Sequence, residues 1–127
     1  MLIYLSSPYR GDVKENTKLA QGFLRYAISK GHTPVAPHLL YTQILDDEKK
    51  EERALAMELN RDLISRVDEL WVLAGKISEG MAFEIVEANR VGTPIRVVSR
   101  ALVKSLLEPQ TPDSDLNCPL AHNKEGI

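Results

Sequence analysis

The segment that decides the fold spans residues 70–88 and reads LWVLAGKISEGMAFEIVEA. Its first five residues are apolar and β-prone, which predicts a buried strand, and a helix is predicted from about residue 78 to about residue 91. Ser78 and Gly80 lie where the strand leads into this helix, and the backbone N–H groups there can hold an anion. Glu84 interrupts an otherwise uncharged run over residues 80–86, which makes its carboxylate a candidate for chemistry.

Each of these features also has a simpler interpretation. Ser78 can be an ordinary N-cap, with Gly80 present for packing. Glu84 can lie on the exposed face of an amphipathic helix, although the residues at 81–83 and 85–86 are apolar and leave little room for such a face. Glu84 lies one turn past Gly80, so its side chain is expected to point back towards the helix start. Glu87 is then expected to be the solvated carboxylate.

The N-terminal part of the chain predicts a strand, a loop and a helix. Residues 2–5 are apolar and β-prone, and the loop over residues 6–11 contains two serines, a proline, an arginine and a glycine. Asp12 is a predicted N-cap, and Glu15 completes a capping box. Apolar residues then recur on one helical face until Gly31 ends the helix. This succession is the first half of a βαβ unit.

The rest of the chain continues the alternation. Two prolines make residues 33–38 a short, edge-like strand, and a short helix or ordered loop follows at residues 39–45. The charged run 46–53 is interpreted as a solvated helix start. A helix from Ala54 to Val67 is expected to pack a stripe containing Leu55 and Leu59 on the sheet. Further elements are predicted as strands at 70–74 and 95–99 and helices at 78–91 and 101–107, with a loosely ordered or partner-packed tail at 108–127.

Bulk properties exclude several classes of protein. A chain of 127 residues, 43% hydrophobic and 27% charged, fits one globular domain, which we place at residues 1–107. The net charge of -2 gives no reason to expect a nucleic acid polymer or a membrane as partner. Cys118 is the one cysteine, so no disulfide, metal site or redox cofactor is predicted. Without an apolar leader or span, the expected compartment is the cytoplasm.

Alternating strands and helices imply a parallel sheet with helices on both faces. Ligands bind such sheets beyond the carboxyl ends of the strands, which selects the loops at 6–11, 37–40 and 75–80. Tyr4 could hydrogen-bond a carboxylate there or be a core tyrosine. Arg10 could pair with an anion or be a surface cation, and His38 could contact a ligand or be an ordinary loop histidine. Asn60 and Asp62 could orient a sugar or base, or lie on the helix surface. The GxGxxG and Walker patterns are absent.

Two motifs resemble those of the nucleoside 2-deoxyribosyltransferase superfamily: IYLSSPY at residues 3–9 and SEGMAFEI at residues 78–85. The resemblance covers about residues 2–99. It is closest to an uncharacterised bacterial and phage branch with a SEGM…E segment after a DELWV strand. The resemblance implies a three-layer, flavodoxin-like (Rossmann-like) α/β fold with a parallel sheet of four to five strands. It also implies cleavage or transfer of the N-glycosidic bond of deoxynucleosides or their 5′-monophosphates, without a cofactor.

The resemblance also implies roles for single residues. Glu84 matches the family's nucleophile, and Tyr4 matches the tyrosine that orients it. Ser78 matches the position at the sugar 5′ end, where a serine accompanies monophosphate substrates and an acid accompanies free nucleosides. The family's aspartate eight residues before the acid that opens the third strand is Asn60 here, and Asp62 follows two residues later. The predicted substrate contacts are Ser6, Ser7, Pro8, Arg10, Gly11, His38, Asn60, Asp62, Ser78, Gly80 and Met81.

The sequence therefore favours an N-glycosidase or deoxyribosyltransferase whose partner is a small nucleoside or nucleotide. One alternative is a non-catalytic nucleotide-binding or sensing module on the same fold, and another is an oligomeric interaction protein with an empty crevice. Resemblance to the family favours a homo-oligomer, at least a dimer. In some relatives a C-terminal asparagine of a neighbouring subunit completes the site, and no residue of the 108–127 tail can be matched to it.

Overall fold

A computed structural model describes residues 1–46 and 48–107 of the chain. The predicted tail at 108–127 lies outside the described residues. Strands alternate with helices, in the order β1 Leu2–Ser6, α1 Val13–Ser29, β2 Thr33–Val35, α2 Pro37–Leu40, a 3₁₀ turn Tyr41–Gln43, α3 Lys50–Arg66, β3 Glu69–Leu73, α4 Glu79–Val91, β4 Ile95–Val98 and α5 Arg100–Ser105.

The strands form one four-stranded parallel sheet in the order β2-β1-β3-β4. The predicted α/β fold with a parallel sheet is confirmed. The chain runs outward from β1 to β2 and then returns past β1 to β3, so the strand order reverses between β1 and β3. In open α/β sheets this reversal opens a crevice at the carboxyl ends of the two strands.

Helices cover both faces of the sheet, as predicted. Ile3, Leu5 and Leu73 pack with Phe23 of α1 and Val103 of α5 on one face. The other face carries a second apolar cluster, formed by Tyr4, Leu70 and Val72 with Ile64 of α3 and with Met81 and Ala88 of α4. Because side chains alternate along a strand, Tyr4 and Ser6 point to the same side of β1 as each other. That side faces α4.

The helix ends follow the predicted local chemistry. Asp12 caps α1 by accepting a hydrogen bond from the Glu15 backbone N–H at 3.2 Å. Ser78 caps α4 by accepting from the Met81 N–H at 3.2 Å. Gly92 ends α4 with φ 82, in the left-handed region that suits glycine. Both capping serine and terminating glycine fix the length of α4, and hence where Glu84 lies along it.

The segment after β2 differs from the prediction. β2 has three residues, Thr33–Val35, and Pro37 begins α2 because its fixed φ and missing N–H suit the first turn of a helix. His38 therefore lies within α2 instead of in a loop. Helix α3 begins at Lys50, so the second half of the charged run 46–53 forms its first turn, in agreement with the interpretation of this run as a helix start.

The apolar stripe predicted for α3 is wrong in its N-terminal half. Leu55 is 50% exposed and Leu59 is 36% exposed, whereas Ile64 is fully buried. The C-terminal half of α3 packs on the sheet, but its N-terminal half extends beyond the carboxyl ends of the strands. No helix in the described part of the chain is both long and apolar enough to cross a bilayer.

Candidate active site

Glu84 is buried at the point where the strand order reverses, and side chains of β1 bond its carboxylate. Its side chain is 7% exposed. The Tyr4 hydroxyl donates a hydrogen bond to Oε2, and the Ser6 hydroxyl donates one to Oε1 at 2.7 Å. Tyr4 and Ser6 reach the same carboxylate because they are two residues apart on one face of a strand that is paired on both sides. Each oxygen of Glu84 therefore has its own donor.

The pKa of the Glu84 carboxyl is set by opposing effects. The net effect raises this pKa from 4.5 to about 7, because burial outweighs the hydrogen bonds from Tyr4 and Ser6, which lower the pKa by stabilising the charged form. Burial, together with the nearby Glu84 charge, raises the pKa of Tyr4 well above 10, so Tyr4 remains a donor. A carboxyl with a pKa near neutrality can act as a nucleophile or take part in proton transfer.

A cavity of about 360 Å³ opens above Glu84, a size that suits a small ligand. Its walls come from the loop after β1, from α2 and the 3₁₀ turn, from α3 and from the start of α4. The lining residues are Ser7, Tyr9, Arg10, Pro37, His38, Tyr41, Thr42, Leu45, Glu52, Arg53, Ala56, Met57, Asn60, Ser78, Glu79, Gly80, Met81, Phe83 and Glu84.

Most of the predicted site residues meet around this cavity. Ser7, Arg10, His38, Asn60, Ser78, Gly80, Met81 and Glu84 line it, and Tyr4 and Ser6 lie beneath it through their bonds to Glu84. Four predicted contacts are not in the lining, and one of them is Ser6, which lies beneath the cavity. Asp62 projects from the exposed side of α3 and pairs with Arg66 at 3.1 Å. Gly11 borders a separate open groove next to the cavity, and Pro8 borders neither space.

His38 and Ser7 form a second polar pair on the cavity wall. The Ser7 Oγ and the His38 Nε2 are 3.0 Å apart, and the Tyr9 ring lies edge-on to the imidazole. Burial lowers the pKa of His38 from 6.5 to about 4, so the imidazole is neutral at physiological pH. A neutral imidazole can accept or donate one hydrogen bond at each nitrogen without adding charge to the cavity.

Asn60 presents a polar atom that lacks a partner within the described residues. Its Oδ1 is buried and accepts no hydrogen bond there, which is a costly arrangement for an amide oxygen. Asn60 also lines the cavity. A turn of the Asn60 amide towards the cavity would let this oxygen accept a hydrogen bond from the N–H or O–H group of a ligand.

Two carboxylates one turn apart on α4 have opposite environments. Glu87 was expected to be solvated, but it is 7% exposed. Arg90 Nη2 lies 2.9 Å from it and Arg61 Nε lies 3.3 Å from it. Its hydrogen bond to Arg90 is the main reason why the pKa of Glu87 is lowered. Glu87 is therefore a structural carboxylate outside the cavity, whereas Glu84 faces the cavity without a cationic partner among its hydrogen bonds.

Apart from Asn60, the wall contributed by α3 was not predicted from the sequence. Arg53, Ala56, Met57 and Asn60 lie on one helical face and line the cavity. Arg53 also crosses to α4, where its Nη2 lies 3.2 Å from Glu79. The helical spacing of these residues can be read from the sequence, but the charged residues around them favoured the interpretation of a solvated helix. Within residues 1–46 and 48–107, no cluster of three His, Cys, Asp or Glu side chains is placed to hold a metal ion.

Comparisons with known proteins agree with this architecture. The sequence pattern of the family described as "Domain of unknown function (DUF7768)" matches residues 1–98, and the chain belongs to that family. Among solved structures, the fold is similar to a 2-deoxyribosyltransferase from the psychrotolerant bacterium Bacillus psychrosaccharolyticus. The TM-score is 0.62 at 22% identity, over 78% of this chain and 72% of the other. No curated protein matches the sequence.

Proposed function

We propose that this protein cleaves or transfers the N-glycosidic bond of a nucleoside, a deoxynucleoside or a 5′-monophosphate of either, with Glu84 as the nucleophile. The observation that carries the proposal is a buried carboxylate with one donor on each oxygen at the base of a ligand-sized cavity. The sequence resemblance to the bacterial and phage branch of the deoxyribosyltransferase superfamily supports the same assignment. So does the fold shared with a 2-deoxyribosyltransferase.

The proposed reaction is a double displacement. A Glu84 oxygen attacks the anomeric carbon as the bond from that carbon to the base nitrogen breaks, and the base leaves with the bonding electron pair. The product of this step is a glycosyl ester of Glu84. Water, or the nitrogen of an acceptor base, then attacks the same carbon and releases the carboxylate, and the proton that the water or acceptor loses is the one that the departed base takes up. Two inversions give overall retention of configuration, as in retaining glycosidases.

Polar groups around the cavity support a nucleoside or nucleotide as ligand. Asn60 lines the cavity, and a turn of its amide would let the unpartnered oxygen accept a hydrogen bond from a sugar hydroxyl or a base N–H. Ser78 and Gly80 lie at the start of α4, where an anion is favoured. Arg10 and Arg53 line the same cavity and can bond a 5′-phosphate, although Arg53 also pairs with Glu79.

A base-release assay on Ser78→Asp tests both the reaction and the form of the substrate. Aspartate caps a helix as well as serine does, so the fold should be kept, but its charge repels a phosphate. We expect the wild type to prefer monophosphates, and the variant to lose at least about 10-fold in kcat/KM for monophosphates relative to nucleosides. Chromatography of free base over a panel of nucleosides and monophosphates is the measurement. Equal use of both forms by both proteins would refute a role for Ser78 at the 5′ end.

Assembly and compartment remain predictions. We propose a homo-oligomer, at least a dimer, in the cytoplasm. Leu55 and Leu59 lie one turn apart and exposed on α3, and Val86 of α4 is 62% exposed, which supports an apolar contact between copies of the chain. The mass of the full chain in solution, measured by light scattering, tests this proposal, and a monomer at all concentrations would contradict it.

A further inference from the structure

Ser6 occupies an unusual place in the candidate site. It is fully buried, yet it is the last residue of the central strand β1 and lies outside the lining of the cavity. Its hydroxyl donates to Oε1 of Glu84 at 2.7 Å. The sequence suggested that Ser6 contacts the substrate, but the geometry directs its hydroxyl to the carboxylate.

We propose that Ser6 is a positioning residue that acts together with Tyr4 to hold the Glu84 carboxylate in one orientation and in its charged form. The last torsion of a glutamate side chain is broad and two-fold, so a single donor leaves the carboxylate free to pivot. Donors on both oxygens fix its plane. Tyr4 is paired with both β2 and β3, and Ser6 is paired with Val72 of β3, so the spacing of the two donors is set by the sheet instead of by a loop.

The second donor also bears on the charge of Glu84. The hydrogen bonds from Tyr4 and Ser6 are the effects that lower the pKa of Glu84 against burial. The other ionisable groups that line the cavity are Tyr9, Arg10, His38, Tyr41, Glu52, Arg53 and Glu79. None of these groups is hydrogen-bonded to either Glu84 oxygen. Removal of the Ser6 hydroxyl should therefore destabilise the charged form directly.

The kinetic test of this inference rests on the proposed function, but a titration of Glu84 tests the inference without catalysis. In protein labelled with ¹³C at glutamate carboxyls, the signal of Glu84 can be assigned by its loss in Glu84→Gln. We expect the pKa of Glu84 to rise by about one to two pH units in Ser6→Ala, because a hydrogen bond to a charged group is lost. Ser6→Thr keeps a hydroxyl and should titrate within about half a pH unit of the wild type. Ser65→Ala, whose exposed hydroxyl bonds the Asp62 carbonyl, is the matched control and should not change the titration.

The pH profile of base release supplies the second readout. In Ser6→Ala the rising limb of kcat/KM should move to higher pH by the same amount as the titration, and the activity above that limb should stay below that of the wild type because the carboxylate has lost one of the two donors that orient it. A merely structural serine would lower stability without moving either curve. An unchanged titration in Ser6→Ala, or an equal change in Ser6→Thr, would overturn the inference. If no substrate releases base, the proposed function fails while the titration still decides the role of Ser6.

Discussion

Glu84→Gln is expected to lose base release by at least about 10³-fold while keeping its fold. Glutamine has nearly the same shape, and its amide can still bond the hydroxyls of Tyr4 and Ser6 that hold the carboxylate. It cannot form a glycosyl ester with the anomeric carbon. Free base measured by chromatography at saturating substrate, with the wild type alongside, checks the result.

Glu87→Gln is the matched control for this loss. Glu87 has the same side chain on the same helix, but it pairs with Arg61 and Arg90 outside the cavity. We expect Glu87→Gln to release base within a few-fold of the wild type at temperatures where it is folded. Turnover by Glu84→Gln equal to the wild type would exclude the nucleophile. Ligand-induced stabilisation without base release by the wild type would favour the non-catalytic nucleotide-binding module.

The second large effect is on stability, and its sign is opposite to that of most substitutions. The pKa of Glu84 is about 7 in the folded state, against an ordinary value of 4.5. Glu84 therefore adds to the free energy of unfolding below pH 4.5, and this contribution is lost as the pH rises through 7. The side chain of Glu84→Gln does not titrate, so the variant does not lose stability in this way as the pH rises. We expect it to be more stable than the wild type at pH 8, by up to about 3 kcal/mol. Chemical denaturation from pH 4 to pH 8.5 is the measurement.

The titration of His38 gives Glu84→Gln a pH dependence of stability that differs from that of the wild type. Its pKa is lowered from 6.5 to about 4, so its contribution to the free energy of unfolding is present above pH 6.5 and is lost as the pH falls. Between about pH 4.5 and pH 6.5 the opposite effects of His38 and Glu84 offset each other in the wild type. Glu84→Gln should therefore show stability that rises with pH over this range. A pH dependence of stability in the variant equal to that of the wild type would contradict the raised pKa of Glu84.

The sequence was sufficient for the sheet and for the central residues of the site. The apolar run before Ser78, and the serine and glycine at the start of α4, located both the strand end and the helix start. The period of two along β1 places Tyr4 on the side of Ser6, so their common contact with Glu84 could have been predicted. It was missed because Ser6 was grouped with the loop that follows the strand.

The sequence was insufficient for the wall of the cavity that α3 contributes. In α3, the residues Arg53, Ala56, Met57 and Asn60 form one face, while the leucines at 55 and 59 form another that is exposed. Apolar periodicity marks a helical face without saying whether it meets the sheet, the cavity or a partner. That choice depends on how far α3 extends past the strand ends, which is a tertiary property.

The most direct test of the central claim is to trap the glycosyl enzyme. An electron-withdrawing fluorine at C2′ of a nucleoside slows both steps of a reaction that builds positive charge at the anomeric carbon. A base that is a good leaving group restores the rate of the first step, so the glycosyl enzyme accumulates. Mass spectrometry of the digested protein should show one sugar esterified within residues 77–90, and none in Glu84→Gln. An adduct at another residue would contradict the account, as would base release from unmodified substrate with inversion of configuration.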